Sequence, residues 1–174
     1  SASGGDKEYT CTITFTDSAG NPAAALTLTA FTLDTAVAVP SETTAVTTPT
    51  KDTTPDVVIT TTQAGTIAVG GTSGCAVGSS SVALGANTVT LTAGGGDKAY
   101  VCTVTFTDSA GNTAGALTLT SFTLDTAAAA PSETTPVTAL ANDATPDVVI
   151  TTAEAGTIAV GGTTGCGVSG SNAV

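Results

Sequence analysis

Residues 100–125 read YVCTVTFTDSAGNTAGALTLTSFTLD, and the fold follows from that stretch. Tyr100, Cys102, Val104 and Phe106 occupy alternate positions, with Val101, Thr103, Thr105 and Thr107 between them. A period of two turns one apolar face inward and a mostly threonine face outward, which describes a β-strand. Asp108 to Asn112 (DSAGN) follows with turn chemistry, because Gly and Asn tolerate positive φ and Asp bonds its own backbone. A second threonine-alternating run returns through Leu117 and Leu119, so the stretch is a hairpin. Its apolar phase slips near Ser121 and Phe122, which predicts a bulge.

The same hairpin occurs earlier, from Tyr9 to Asp34. Cys11 matches Cys102, Phe15 matches Phe106, Asp34 matches Asp125 and Cys75 matches Cys166, each 91 positions apart (102 − 11) without insertion or deletion. A unit of 91 residues is a small domain, so the chain reads as tandem copies of one module.

Composition narrows the function classes. Of 174 residues 41% are hydrophobic but only 3% aromatic. Small β-branched side chains suit thin sandwich cores rather than deep pockets. Threonine breaks the apolar stretches too often for a membrane-spanning helix. No signal peptide is legible and the first residue is Ser, so the chain reads as mature or excised. Three Lys+Arg against 14 Asp+Glu give a net charge of −11, which argues against nucleic acid as a partner. The acids suit solubility, a saline habitat or cation binding. His, Arg, Trp and Met are all absent, so there is no Ser-His or Cys-His pair and no imidazole metal ligand. Catalysis and a tightly bound cofactor are not expected. Gly94 to Gly96 is a turn before Asp97 rather than a phosphate loop.

Residues 1–34 hold the last hairpin of an incomplete module. Residues 35–125 form a complete one, and 126–174 hold the first strands of another. Boundaries fall at the linker-like runs Thr35 to Glu42 and Thr126 to Glu133, where Pro40 and Pro131 keep a strand from running on. Within 35–125 the expected strands are Thr44 to Thr48, Asp56 to Thr62, Thr66 to Val69 and Asn87 to Thr92, then the hairpin. A Gly/Ser-rich excursion from Gly70 to Gly85 carries Cys75 and at most one weak edge strand. About seven short strands with regular turn signals form the pattern of a two-sheet antiparallel sandwich.

TFTDSAGN, TLTSFTLDTA, ATPDVVITTAEAGTIAVGG and NTVTLTA resemble the bacterial immunoglobulin-like repeats of giant surface adhesins and extracellular fibres. The resemblance implies an all-β fold of tandem immunoglobulin-like sandwiches strung as beads, extracellular or at the cell surface, serving reach, adhesion or assembly. Tyr100, two residues before Cys102, is similar to the tyrosine corner of such sandwiches, whose core Trp is missing here. The resemblance also implies calcium at module junctions, where hard oxygen ligands meet. Asp34 would face Asp108, Asn112 and Gln63. Asp125 would face Glu154 and the incoming equivalents of Asp17 and Asn21.

Two cysteines per module fit an oxidising compartment. Within the complete module Cys75 is expected to pair with Cys102, the alternative being two free buried thiols. By the same rule Cys166 wants a partner beyond the sequence and Cys11 one before it. The leading hairpin and the trailing strands together make one module lacking only the equivalents of positions 84–91. A lone hairpin is marginal in water, so the face of Tyr9, Cys11, Ile13 and Phe15 needs cover. One reading is a self-assembling fibre subunit, completed head-to-tail by other copies with Cys11 bonded to Cys166 between them. The other is a segment of a long repeat adhesin that binds a glycan or a surface, although the few aromatics fall on strand patterns. A secreted enzyme's accessory domain is a third reading without support. The threonine faces suit O-linked sugars or plain β-structure on a wet surface.

Overall fold

The computed structural model describes residues 4–168, which form strands, turns and extended chain with no helix among them. They divide into two compact units, Ser1–Leu124 and Asp125–Val174.

The first unit opens with β1 (Lys7–Tyr9), β2 (Thr12–Ile13), β3 (Leu26–Thr27) and β4 (Phe31–Leu33). β1 pairs with β4 and β2 with β3, both antiparallel, so the leading segment is the expected hairpin. Next come β5 (Ser41–Thr44), β6 (Asp56–Thr61), β7 (Gly65–Gly71), β8 (Cys75–Val77), β9 (Ser81–Val82) and β10 (Gly85–Ala93). The second hairpin follows as β11 (Lys98–Tyr100), β12 (Cys102–Asp108), β13 (Leu117–Thr118) and β14 (Phe122–Leu124).

Two four-stranded sheets result, in the orders β5-β6-β10-β8 and β13-β12-β7-β9, with β11-β14 as a small pair. All strand pairs are antiparallel. Period-two side chains from both four-stranded sheets meet in one core, with Val57, Ile59, Val89 and Leu91 from the first and Ile67, Val104 and Phe106 from the second. Tyr100, Phe122 and Leu124 extend it beneath the small pair. Each such side chain contributes roughly 1.5–3 kcal/mol relative to leaving it in water.

The structure moves several expected boundaries. The first strand lies at Ser41–Thr44 instead of Thr44 to Thr48, starting directly after Pro40, and its register against β6 slips between Glu42 and Thr44. The run before it is no free linker: Val37 packs on the core and Pro40 is buried. The Gly/Ser-rich excursion carries two short strands, because β8 pairs with β10 and β9 with β7. The return limb of the hairpin breaks into β13 and β14 on either side of the slip at Ser121.

In the second unit β15 (Ser132–Thr135) pairs with β16 (Val149–Thr151). Its register, Ser132↔Thr151, Glu133↔Ile150 and Thr135↔Val149, is that of β5 on β6 moved by 91 positions, slip included. No named strand falls on 156–162, the positions equivalent to β7.

Candidate functional site

Among the described residues, nothing covers the apolar face of the leading hairpin. Phe15 is 68% exposed and Ile13 52%, whereas their equivalents Phe106 and Val104 are 1% and 0% exposed. Leu28 is 41% exposed against 4% for Leu119. The difference is cover: β7 runs along β12 from Cys102↔Gly71 to Asp108↔Gly65, and no such strand is paired with β2.

Local interactions nevertheless hold the hairpin in the shape of its buried counterpart. Gly4 N–H donates to Tyr9 Oη at 2.8 Å and Tyr9 O–H donates to the Gly5 carbonyl at 2.8 Å. Gly95 N–H and the Gly96 carbonyl make the same two bonds with Tyr100, at 2.8 and 2.9 Å. The Gly94 to Gly96 turn is therefore an anchor for a tyrosine. Tyr9 stacks on Phe31 at 5.5 Å between ring centroids, and Tyr100 on Phe122 at 5.3 Å. Lys7 and Lys98 each place Nζ over the neighbouring tyrosine ring, at 5.2 and 5.1 Å. At the hairpin tips, Asp17 Oδ1 accepts from Ala19 and Asn21 N–H, and Asp108 Oδ1 accepts from Ala110 and Asn112 N–H. Gly20 (φ 90°) and Gly111 (φ 93°) occupy the left-handed position that closes each turn.

Cys75 and Cys102 are disulfide-bonded, joining β8 in one sheet to β12 in the other, with a Cα–Cα distance of 5.8 Å. Cys11 and Cys166 are free and exposed.

The acids assigned to calcium are engaged otherwise. Asn112 Nδ2 donates to Asp108 Oδ2 at 3.0 Å and to the Asp34 carbonyl at 2.9 Å, so Asp34, Asp108 and Asn112 do meet. They meet through N–H donors. The Asn112 side chain first, and then the backbone N–H groups of Asn112 and Ala110, hold the Asp108 carboxyl below the usual carboxylate range. Asn21 does the same for Asp17. Gln63 Oε1 accepts from Ala38 N–H at 3.5 Å, and Asp34 and Asp125 each cap the N–H two residues on. Glu154 lines a hollow in the second unit. Calcium takes six to eight oxygens, and no three acidic or thiol groups converge among the described residues.

Two features escape sequence reading. Glu42 Oε2 accepts from Thr120 N–H and Oγ1, at 2.8 and 2.7 Å, clamping β5 to the break in the return limb. A glutamate in a threonine-rich edge strand, present again as Glu133, was the available signal. Gly65 and Gly71 lie tight against β12: a Cβ on Gly65 would run into the Thr107 carbonyl and the Phe106 ring, and one on Gly71 into the Val101 carbonyl. In the second unit, residues Ala128, Pro131, Thr152, Gly156 and Ile158 line a hollow of about 290 Å³. No described helix is long and apolar enough to cross a membrane. Comparison with protein-family models and with curated proteins finds no match to this chain.

Proposed function

We propose that this is a structural, non-catalytic extracellular protein. In this reading it is a subunit or segment of a filament or stalk built from head-to-tail immunoglobulin-like modules, with unfinished modules completed between copies. The observation that carries the reading is the leading hairpin, shaped like its buried counterpart yet holding Phe15 and Ile13 in water. The strand orders β5-β6-β10-β8 and β13-β12-β7-β9 are compatible with the module type: they match the A-B-E-D and G-F-C arrangement of immunoglobulin sandwiches except for β9, which is added at the β7 edge. The disulfide supports an oxidising compartment.

Completion between copies brings Cys11 of one to Cys166 of the next, as Cys102 is to Cys75. Exchange with a low-molecular-weight disulfide then joins the two sulfurs. That oxidant takes up two electrons and two protons and leaves as two thiols. A head-to-tail contact of this kind extends into an open filament unless its rotation closes a ring. With −11 on every copy, contact strengthens as salt screens the repulsion.

Non-reducing electrophoresis tests the proposal. A ladder that collapses to monomer on reduction supports it, and monomer in both lanes sinks it. Electron micrographs of the same sample distinguish filaments from rings. A role as an adhesin segment gripping a glycan or surface is the second reading, and binding by unassembled monomer would favour it.

A further inference from the structure

The complete module gives an address for each residue of the unfinished ones. Resting on the assembly reading above, we propose that the segment 11–17 of one copy docks antiparallel along 156–162 of another. The register is Cys11↔Gly162, Ile13↔Val160, Phe15↔Ile158 and Asp17↔Gly156. It is the β12–β7 register, Cys102↔Gly71 through Asp108↔Gly65, carried back and forward by 91 positions.

Three observations point to this occupant. The first is the glycines. Gly65 and Gly71 are needed where β12 passes, because a side chain would strike its backbone, and both recur as Gly156 and Gly162. There nothing lies within 4 Å of where a Cβ would be. Gly162 shares the positive φ of Gly71 (115° and 102°), which itself calls for glycine, so the clearance rests on Gly156, against which no described strand is laid.

The second is the hollow of about 290 Å³ beside Gly156 and Ile158. Their equivalents, Gly65 and Ile67, face Phe106, whose ring edge would lie 2.8 Å from a Cβ on Gly65. The matching side chain is Phe15, 68% exposed on the hairpin. A phenyl ring needing cover and a hollow of suitable size occupy corresponding positions.

The third is polar. Glu42 receives two hydrogen bonds from Thr120. Glu133 and Thr29 are the equivalents, both exposed, so the incoming hairpin brings the donor that Glu133 would accept. Apolar fit, backbone clearance and a carboxylate–threonine clamp all select the same partner, a hairpin with the sequence of residues 9–34, which a second copy of this chain carries.

Gly156→Val tests the register, read by sedimentation of the full chain over a concentration series. Gly156 has open space around it, so far-UV circular dichroism of the monomer is expected to stay unchanged. Forcing a side chain into a packed strand contact is expected to raise the half-assembly concentration about tenfold or more. Glu133→Gln is expected to raise it by less. Gly167→Ala is the control, since Ala76 stands at the equivalent position and a Cβ fits there. Assembly that is robust in the natural chain and indifferent to Gly156→Val overturns the register and leaves the filament reading standing. A natural chain that stays monomeric across the series overturns the filament reading itself.

Discussion

The hairpins at 9–34 and 100–125 share a sequence pattern and a pairing register, and they differ in what lies against them. Lys7↔Leu33 and Ile13↔Leu26 in the first repeat Lys98↔Leu124 and Val104↔Leu117 in the second. The tyrosine anchor, ring stack and Asp–Asn turn are present in both. Burial is present in one. Shape in this hairpin is therefore a local property, set by turn chemistry and one aromatic pair, while its apolar face depends on β7 and the facing sheet. The two can be separated experimentally.

The largest contrast is expected at the phenylalanines. Phe106→Ala removes a side chain from a filled core and is expected to destabilise the first unit by about 3–5 kcal/mol. Phe15→Ala in dilute monomer is expected to change stability by less than about 0.5 kcal/mol, as for an exposed surface site. Urea denaturation of the two variants checks this, and equal losses would mean that the leading hairpin is covered in solution. Next comes the disulfide. Replacing Cys75 and Cys102 together by Ala opens a loop of 27 positions and is expected to cost about 3 kcal/mol. Cys11→Ser is expected to leave the monomer's midpoint where it was.

Smaller effects sharpen the comparison. Tyr100→Phe strips partners from Gly95 N–H and the Gly96 carbonyl beneath a fully buried ring, with an expected loss of about 1–3 kcal/mol. Tyr9→Phe does the same where water can replace the hydroxyl, and a smaller loss is expected in the same denaturation assay. Acid comes next. The Asp108 carboxyl titrates below its unfolded value, so its contribution is present above about pH 4 and is lost as pH falls through the depressed native value. An acid titration of Asp108→Asn against the natural chain is expected to diverge above that window and converge below it. Chelation is expected to do least: melting with EDTA should give an unchanged midpoint, and a lowered one would restore a cation to the Asp34–Asp108 junction.

Much of this was legible in the alternation of side chains. Tyr100, Cys102, Val104 and Phe106 are buried as their period of two requires, and the phase slip at Ser121 is where the return limb breaks. Cys75 and Cys102 pair as two cysteines per module suggest. What stayed hidden has no side-chain signal of its own. The strands at Cys75–Val77 and Ser81–Val82 lie among Gly and Ser, and they are defined by partners across the sheet. The first strand sits at Ser41–Thr44 by its pairing with β6, and Glu42 within it is clamped to Thr120, a residue 78 positions away. In the turns of Asp17 and Asp108 the turns' own amides donate to the carboxylate oxygens, a local bonding that residue types alone do not announce. Nor could composition tell that Gly65 and Gly71 stand where another backbone passes.

The tyrosine latch on the leading hairpin also bears on how fast copies can join. Gly4 and Gly5 grip Tyr9 at one end while Asp17 and Asn21 tie the other, so both ends of the exposed strand between them are anchored by local bonds. On the proposed assembly, an arm pre-set in this way would meet its groove with less ordering left to do, so less ordering entropy would be charged to the encounter. Growth should then be limited by collision and orientation, with the rate set by concentration and salt.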